Sequence, residues 1–317
     1  MQGKRVVVTG GAGFIGSNIA WTLCEENDIV VVDNLSTGSL ANIKQLVSDK
    51  KIEFVKGSIT DLRLMKKTLK GADYVLHQAA IPSVPRSVKD PLLSNEAGIT
   101  GTLTTLVAAR DSDVRKLVFA SSSSVYGDTP TLPKHEAMPL GPLSPYAATK
   151  AANETYCRLF TELYGLGTVA LRYFNVYGPR QDPSSEYAAV IPKFITSALK
   201  GKPLVIYGDG KQTRDFTYIQ DAILANVLAA QSKATGSYNV ATGDRITVNE
   251  LASAVIDITG SKSKVKRERP RPGDIKHSLA DISRAKAAFG YSPRYSLKKG
   301  LRETIDWFAK GDRRTGN

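Results

Sequence analysis

Short runs of β-branched apolar residues alternate with stretches of helical periodicity through the first half of the chain. This alternation predicts an α/β fold with a parallel sheet, because each helix carries the chain back to the start of the next strand. Six strands are predicted at residues 5–9, 29–33, 52–56, 74–77, 117–121 and 168–172. Four helices are predicted at residues 17–26, 62–69, 92–110 and 145–164.

The pattern changes after residue 175, where loops rich in Gly, Pro and Asp become frequent. We therefore expect a first domain at residues 1–175 and a smaller mixed α/β region at residues 176–317, with the chain free to cross back to the first domain. In open α/β sheets ligands bind at the carboxyl ends of the strands. The second region is expected to pack there and close a cleft.

The net charge of +13 is concentrated most densely at residues 262–271. Three interpretations of this segment stay open: a solvated basic edge strand, a site for an anionic small molecule, and a nucleic-acid surface. No apolar run is long enough for a membrane helix, and the first apolar run is too short for a signal peptide, so a cytoplasmic protein without membrane contact is expected.

Cysteine and histidine are scarce. Cys24 and Cys157 are far apart within predicted helices, which indicates buried thiols and not a disulfide framework. His77, His135 and His277 have no second ligand at metal-binding spacing, so no metal site is expected.

A glycine motif follows the first predicted strand, with glycines at positions 10, 13 and 16. Glycines in a strand-turn-helix context allow a tight turn and a close backbone approach to a pyrophosphate, which the helix N-terminus attracts. Asp33 ends the second predicted strand at the spacing of a carboxylate that accepts from ribose hydroxyls. The motif predicts a Rossmann-type dinucleotide site, and the carboxylate favours NAD over NADP.

A second pattern carries candidate chemistry. Tyr146 and Lys150 are four residues apart on a predicted helix and therefore share a face. Positive charge beside a phenol favours the phenolate, so Tyr146 is a candidate base. Four serines at residues 121–124 follow the end of a predicted parallel strand, where a serine hydroxyl can share a proton with a reacting alcohol.

These motifs, in this order, resemble the extended short-chain dehydrogenase/reductase family over nearly the whole chain. Residues 171–179, 212–219 and 271–274 are similar to those of nucleotide-sugar 4-epimerases. Residues 83–87, 180–183 and 187–193 look most like UDP-N-acetylglucosamine 4-epimerases.

The resemblance implies NAD-dependent C4 epimerisation of UDP-hexoses through a 4-keto sugar, with Tyr146, Lys150 and Ser122 as catalytic residues. Tyr146 would exchange the proton of the 4-hydroxyl, and Lys150 would hold the nicotinamide ribose and lower the pKa of Tyr146. It also implies a homodimer built on helices 92–110 and 145–164. The implied cofactor residues are Gly10, Gly13, Phe14, Ile15, Gly16, Asp33, Asn34, Ser36, Thr37, Gly38, Ser58, Ile59, Gln78, Ala79, Ala80, Tyr146, Lys150 and Tyr173. The implied substrate residues are Ser83, Ser122, Ser123, Tyr146, Asn175, Ala189, Val190, Lys193, Tyr207, Arg214, Arg271, Asp274 and Ser278.

The choice of substrate rests mainly on Ser278, which aligns with a pocket wall that is a bulky Tyr in strict glucose/galactose epimerases. The small side chain leaves room for an N-acetyl group, so we expect activity on acetylated and plain UDP-hexoses. UDP-glucuronate 4-epimerases share the serine run and remain an alternative. Dehydratases are disfavoured, because Ser123 and Ser124 stand where they have an Asp-Glu pair. A non-enzymatic nucleic-acid-binding relative is the last alternative.

Three positions depart from the family pattern. Gly98 replaces an Asn near the nicotinamide, so we expect weaker NAD retention unless Asn95 supplies the contact. Ser58 replaces an Asp near the adenine. Pro82 stands beside the substrate loop where relatives often have Gly, which would reshape the sugar pocket.

Overall fold

The computed structural model describes residues 1–183, 189–270 and 275–311. A seven-stranded parallel sheet forms its centre, in the order β3-β2-β1-β4-β5-β6-β9. Its strands are β1 (Arg5–Thr9), β2 (Asp28–Asp33), β3 (Ile52–Lys56), β4 (Tyr74–His77), β5 (Lys116–Ser122), β6 (Gly167–Tyr173) and β9 (Gly236–Val240). The order reverses between β1 and β4, the position at which doubly wound sheets bind ligands. This confirms the predicted fold class.

Helices cover both faces of the sheet and build the second region. They are α1 (Phe14–Leu23), α2 (Lys44–Ser48), α3 (Leu62–Leu69), α4 (Val84–Lys89), α5 (Pro91–Asn95), α6 (Gly101–Asp111), α7 (Pro145–Tyr164), α8 (Val190–Leu199), α9 (Ile219–Gln231), α10 (Val248–Thr259), α11 (Ser283–Phe289) and α12 (Leu297–Gly311). Short 3₁₀ turns occupy Leu40–Asn42 and Ser123–Tyr126, and a π-helical turn occupies Glu96–Thr100.

Burial on both faces explains why the central strands are almost purely apolar. Val6, Val7 and Val8 of β1 are fully buried, as are most residues of β2 and β5. Parallel strands that are covered by helices on both sides consist of continuous hydrophobic runs, and such runs allowed these strands to be predicted from the sequence.

The second region carries two small sheets. One pairs β7 (Leu204–Tyr207) with β11 (Val265–Glu268) in parallel, and the other pairs β8 (Thr213–Arg214) with β10 (Ile246–Thr247) in antiparallel orientation. Strand β11 lies within the basic segment and all four of its residues are exposed, which agrees with the interpretation as a solvated edge strand. Strand β9 returns to the main sheet beside β6, so the chain crosses back beyond residue 175.

One predicted helix is wrong in detail. The segment 92–110 is divided into α5, the π-helical turn and α6. The π turn contains the buried Gly98, which brings this segment close to α7. The first helix also begins and ends three residues earlier than predicted.

Within the described part of the chain, no helix is long and apolar enough to cross a membrane.

Candidate active site

The glycine motif forms a tight turn between β1 and α1. Gly10 has a φ of 68°, and a Cβ atom on it would lie 2.7 Å from Cα of Ala79. A Cβ atom on Gly16 would overlap the carbonyl oxygen of Gly10. Only glycine allows this approach of β1, β4 and α1, which leaves the N-terminus of α1 open to a ligand.

A cavity of about 270 Å³ opens beside this turn. Its walls contain most of the residues that the sequence assigned to the cofactor: Gly10, Gly13, Phe14, Ile15, Gly16, Asp33, Asn34, Ser36, Thr37, Ser58, Ile59, Gln78, Ala79 and Ala80. The sequence reasoning did not include Leu93, Glu96 and Ala97, which reach the cavity from α5 and the π turn. Only the fold brings that segment over the glycine turn, so no local signal could have found these residues.

Asp33 is fixed at one side of the cavity. Its carboxylate accepts hydrogen bonds from the backbone N–H groups of Ala12 at 3.0 Å and Leu35 at 2.7 Å. Burial raises the pKa of Asp33, and these two hydrogen bonds oppose the rise. Gly38 packs against the same carboxylate, because a Cβ there would lie 2.9 Å from Oδ2. A glycine turn and a held carboxylate at the two sides of one cavity fit an adenosine diphosphate group.

The catalytic candidates lie at the start of α7. Ser144 caps this helix by accepting from the N–H of Ala147, with Pro145 at the first helical position. This start places Tyr146 in the first turn and Lys150 in the next. Lys150 is buried, and its Nζ donates to the carbonyl oxygen of Ala120 at 2.6 Å.

The pKa of Lys150 lies close to neutral pH. Its Nζ lies 5.7 Å from the centre of the Tyr146 ring and 4.7 Å from that of Phe119. Burial lowers the pKa of Lys150 to about 8, while the nearby Glu154 and Cys157 act in the opposite direction. Lys150 therefore loses its positive charge as the pH rises through about 8.

Ser122 ends β5 beside Tyr146. The Ser122 Oγ accepts from Ser124, at 3.2 Å from the backbone N–H and 2.9 Å from the hydroxyl. Burial raises the pKa of the half-buried Tyr146, and a hydrogen bond with Ser122 works against that rise. The pKa of Tyr146 is therefore raised in the protein alone, because desolvation of the phenolate outweighs the hydrogen bond with Ser122. That Lys150 and an oxidised nicotinamide together lower this pKa stays a prediction.

A buried ion pair, which the sequence did not reveal, supports this group. Arg172 of β6 and Glu154 of α7 form a pair at 2.6 Å with side chains that are 5% and 6% exposed. The Glu154 carboxylate also accepts from Ser121 at 2.5 Å and from Ser237 at 2.9 Å. The pair thus joins the catalytic helix to the ends of β5 and β6, next to Ser122 and Tyr173.

His77 lies below the glycine turn at the end of β4. Its ring nitrogens are hydrogen-bonded to Thr9 at 2.7 Å and to Thr102 at 3.0 Å, and it is fully buried. Burial lowers the pKa of His77 to about 3, and the charge of Lys150 adds to this effect. The ring is therefore a neutral structural group.

The predicted substrate residues lie mainly in the second region. Asn175 adopts a positive φ of 37°, and its amide donates to the carbonyl oxygen of Asp215 at 2.8 Å. The buried Asp215 carboxylate accepts from Thr242, Gly243 and Ala280. It therefore fixes the chain two residues after Ser278, which is buried.

The other predicted substrate residues are spread over several elements of the fold. Ala189 is the N-cap residue of α8 and Val190 its first residue, with Lys193 one turn later. Tyr207 ends β7. Ser83 caps α4 by accepting from Arg86. Arg214 lies on the wall of a second cavity, beside Phe216 and the residues that precede α12. Arg271 and Asp274 lie outside the described residues. Ser123 and Tyr173 are at the ends of β5 and β6, next to the catalytic candidates.

The three departures from the family pattern have different outcomes. A Cβ atom on Gly98 would lie 2.9 Å from both Cβ and Oγ1 of Thr149, so this glycine is needed for the packing of α7. Asn95 is exposed and does not line the cavity. Ser58 and Pro82 both line it, and Ser58 is hydrogen-bonded to Thr60 at 2.8 Å.

Comparison with known proteins agrees with this geometry. The family model described as GDP-mannose 4,6 dehydratase matches residues 7–304. The chain belongs to the extended short-chain dehydrogenase/reductase family. Within the described ranges, no group of three His, Cys, Asp or Glu residues could hold a metal ion.

Three known proteins are especially similar to this chain. UDP-N-acetylglucosamine 4-epimerase from Methanobrevibacter ruminantium, solved with UDP-N-acetylmuramic acid, is 46% identical with a TM-score of 0.95, covering 98% of this chain and 100% of that one. UDP-glucose 4-epimerase from Thermus thermophilus, solved with NAD, is 40% identical with a TM-score of 0.87, covering 96% and 99%. UDP-glucose 4-epimerase of Mycolicibacterium smegmatis is 38% identical over 308 residues, covering 96% and 98%.

Proposed function

We propose that the protein is an NAD-dependent 4-epimerase that interconverts UDP-N-acetylglucosamine with UDP-N-acetylgalactosamine, and UDP-glucose with UDP-galactose. The observation that carries the proposal is the contact between Ser122 and Tyr146, with Lys150 one helical turn away. The similarity to UDP-sugar 4-epimerases over nearly the full chain supports it.

The cavity beside the glycine turn would hold NAD, with Asp33 at the adenosine ribose. When bound, NAD would supply the oxidising equivalent for C4 of the sugar by reversible hydride transfer. The cavity provides the backbone approach and the carboxylate that this group requires.

Tyr146 and Ser122 act on the 4-hydroxyl of the sugar. Tyr146 takes the O4 proton as C4 is oxidised, which gives a 4-keto sugar, and returns the same proton when C4 is reduced on its other face. Ser122 hydrogen-bonds the same oxygen. Tyr146 takes the proton as the phenolate; the positive charges of Lys150 and of bound NAD would favour that form, against the burial that raises the pKa of Tyr146 in the protein alone. The sugar regains both the proton and the hydride that it loses, so the net change is inversion at C4.

Tyr146→Phe tests this chemistry. We expect at least a ~100-fold fall in kcat, because a general acid-base group contributes about that much or more, with unchanged affinity for UDP. The control is Tyr156→Phe on the same helix, which removes a phenol away from the site. Full activity in Tyr146→Phe would refute the assignment of the proton to this residue.

The substrate is tested by incubating the protein separately with UDP-N-acetylglucosamine, UDP-glucose and UDP-glucuronate, with and without added NAD. Products are resolved by anion-exchange chromatography and proton NMR. We expect C4 epimers of the first two. Epimerisation of UDP-glucuronate alone would support the mechanism but show that the proposed substrates are wrong. The absence of an epimer from all three UDP-sugars would refute the proposal.

Ser278→Tyr tests the basis of that substrate range. Ser278 is 8% exposed, and the bulky ring would occupy the space proposed for the N-acetyl group. We expect turnover of UDP-N-acetylglucosamine to fall much more than turnover of UDP-glucose. An equal fall for both sugars would show that position 278 does not select between them.

We also propose that the protein is a homodimer. Apolar side chains remain exposed on α5 and at the end of α7, where Leu92 is 82% exposed, Leu163 66% and Tyr164 51%. A second copy packed on α5 and α7, which contact each other, would cover these apolar side chains. Light scattering should give twice the mass of one chain, and Leu92→Glu should shift the mass towards that of one chain.

A further inference from the structure

A closed ring of three hydrogen bonds lies behind the cofactor cavity. The Asn226 Nδ2 donates to the Tyr173 hydroxyl at 2.7 Å, that hydroxyl donates to Gln78 Oε1 at 3.3 Å, and Gln78 Nε2 donates to Asn226 Oδ1 at 3.1 Å. The ring joins the ends of β4 and β6 to α9. Each member both donates and accepts, so removal of one member affects the other two.

Asn226 sets the direction of this ring. It is fully buried, and its Nδ2 also donates to the carbonyl oxygen of Ala222 at 2.7 Å. A reversed amide would place Oδ1 against that carbonyl oxygen, and two acceptors would then meet without a hydrogen. The amide therefore has one favourable orientation, which in turn fixes the amide of Gln78.

The other two members are candidate cofactor residues. Gln78 lines the cavity, and Tyr173 ends the strand beside it. Burial raises the pKa of Tyr173 to about 12, so its hydroxyl keeps the hydrogen that it donates to Gln78. Asn226 is absent from the cavity wall and acts only through its two partners.

We propose that Asn226 is a positioning residue for the cofactor, which holds Gln78 and Tyr173 in the arrangement that NAD binding requires. This inference rests on the proposed NAD-dependent function. It assigns a role in cofactor affinity to a side chain of α9, 148 residues from Gln78 along the chain.

The test compares the affinity for NAD of the wild type, Asn226→Ala, Tyr173→Phe and the double variant by isothermal titration, with the NAD content of each purified protein. We expect Asn226→Ala to weaken binding about fivefold to tenfold, the value of one or two net hydrogen bonds. The double variant should bind little more weakly than the weaker single variant, because one substitution already opens the ring. At saturating NAD, kcat of Asn226→Ala should recover towards the wild-type value, because Asn226 acts on cofactor affinity through Gln78 and Tyr173.

Asn239→Ala is the matched control, because Asn239 is also a fully buried amide but bonds to Lys134, Asp281 and Tyr126. Its NAD affinity should match that of the wild type even if its stability falls. Where Asn226→Ala does not fold, Asn226→Leu fills the same volume and serves in its place.

Three outcomes would overturn the inference: wild-type NAD affinity in the Asn226 variants, an equal loss in Asn239→Ala, or a double-variant effect equal to the product of the two single effects. Each of these leaves the proposed function standing. A wild-type protein that does not bind NAD would instead overturn the proposed function, and the role of Asn226 would fall with it.

Discussion

The buried imidazole of His77 should make the protein sensitive to acid. Its pKa is lowered from the ordinary 6.5 to about 3, so between these values the unfolded chain binds a proton that the folded protein does not. Stability therefore falls as the pH drops below 6.5. Between pH 7 and pH 5 this ring lowers the free energy of unfolding by about 2 kcal/mol, since each pKa unit is worth about 1.4 kcal/mol.

Urea unfolding at pH 7 and pH 5, followed by circular dichroism, measures this loss for the wild type and for His77→Gln. The glutamine does not titrate, so the variant should lose about 2 kcal/mol less than the wild type over the same pH interval. His135→Gln, which removes an exposed imidazole, is the matched control for the loss of a histidine. An equal pH dependence in His77→Gln and the wild type would refute the reasoning.

Two further substitutions test the packing around α7. Glu154→Gln leaves the buried Arg172 without its counter-charge and should cost about 3–5 kcal/mol of unfolding free energy, whereas Glu162→Gln, which breaks an exposed pair on the same helix, should cost under about 1 kcal/mol. Gly98→Asn should destabilise by about 1–3 kcal/mol through overlap with Thr149, and Thr149→Ala should recover most of that loss. Thermal unfolding measures the stability of all these variants. Similar losses in Glu154→Gln and Glu162→Gln would contradict the role of the buried ion pair. No recovery when Thr149→Ala is added to Gly98→Asn would contradict the overlap with Thr149.

The sequence could predict features that depend on neighbours along the chain. Strand β1 is a run of apolar residues buried on both faces, and the glycine motif must follow it because no other residue allows the turn at Gly10. Tyr146 and Lys150 share a face through helical geometry alone. These positions needed no knowledge of the fold.

Other features depend on segments that only the fold brings together. Strand β9 escaped prediction because it contains Asn239, whose buried amide has partners more than 40 residues away. The break in helix 92–110 follows from the packing of Gly98 on α7, which helical periodicity does not encode. The partners of Glu154 and Asn226 are also distant along the chain, so neither residue had a local signal.

Strand β11 has a consequence for solubility. Among the residues that the structure describes, it pairs with β7 on one side only, and all four of its own residues are exposed. Such an edge offers unpaired N–H and C=O groups to any extended chain. Here Lys266, Arg267 and Glu268 stand along it, so an approaching strand would have to bury or displace charged side chains. The basic segment therefore protects the molecule against edge-to-edge aggregation.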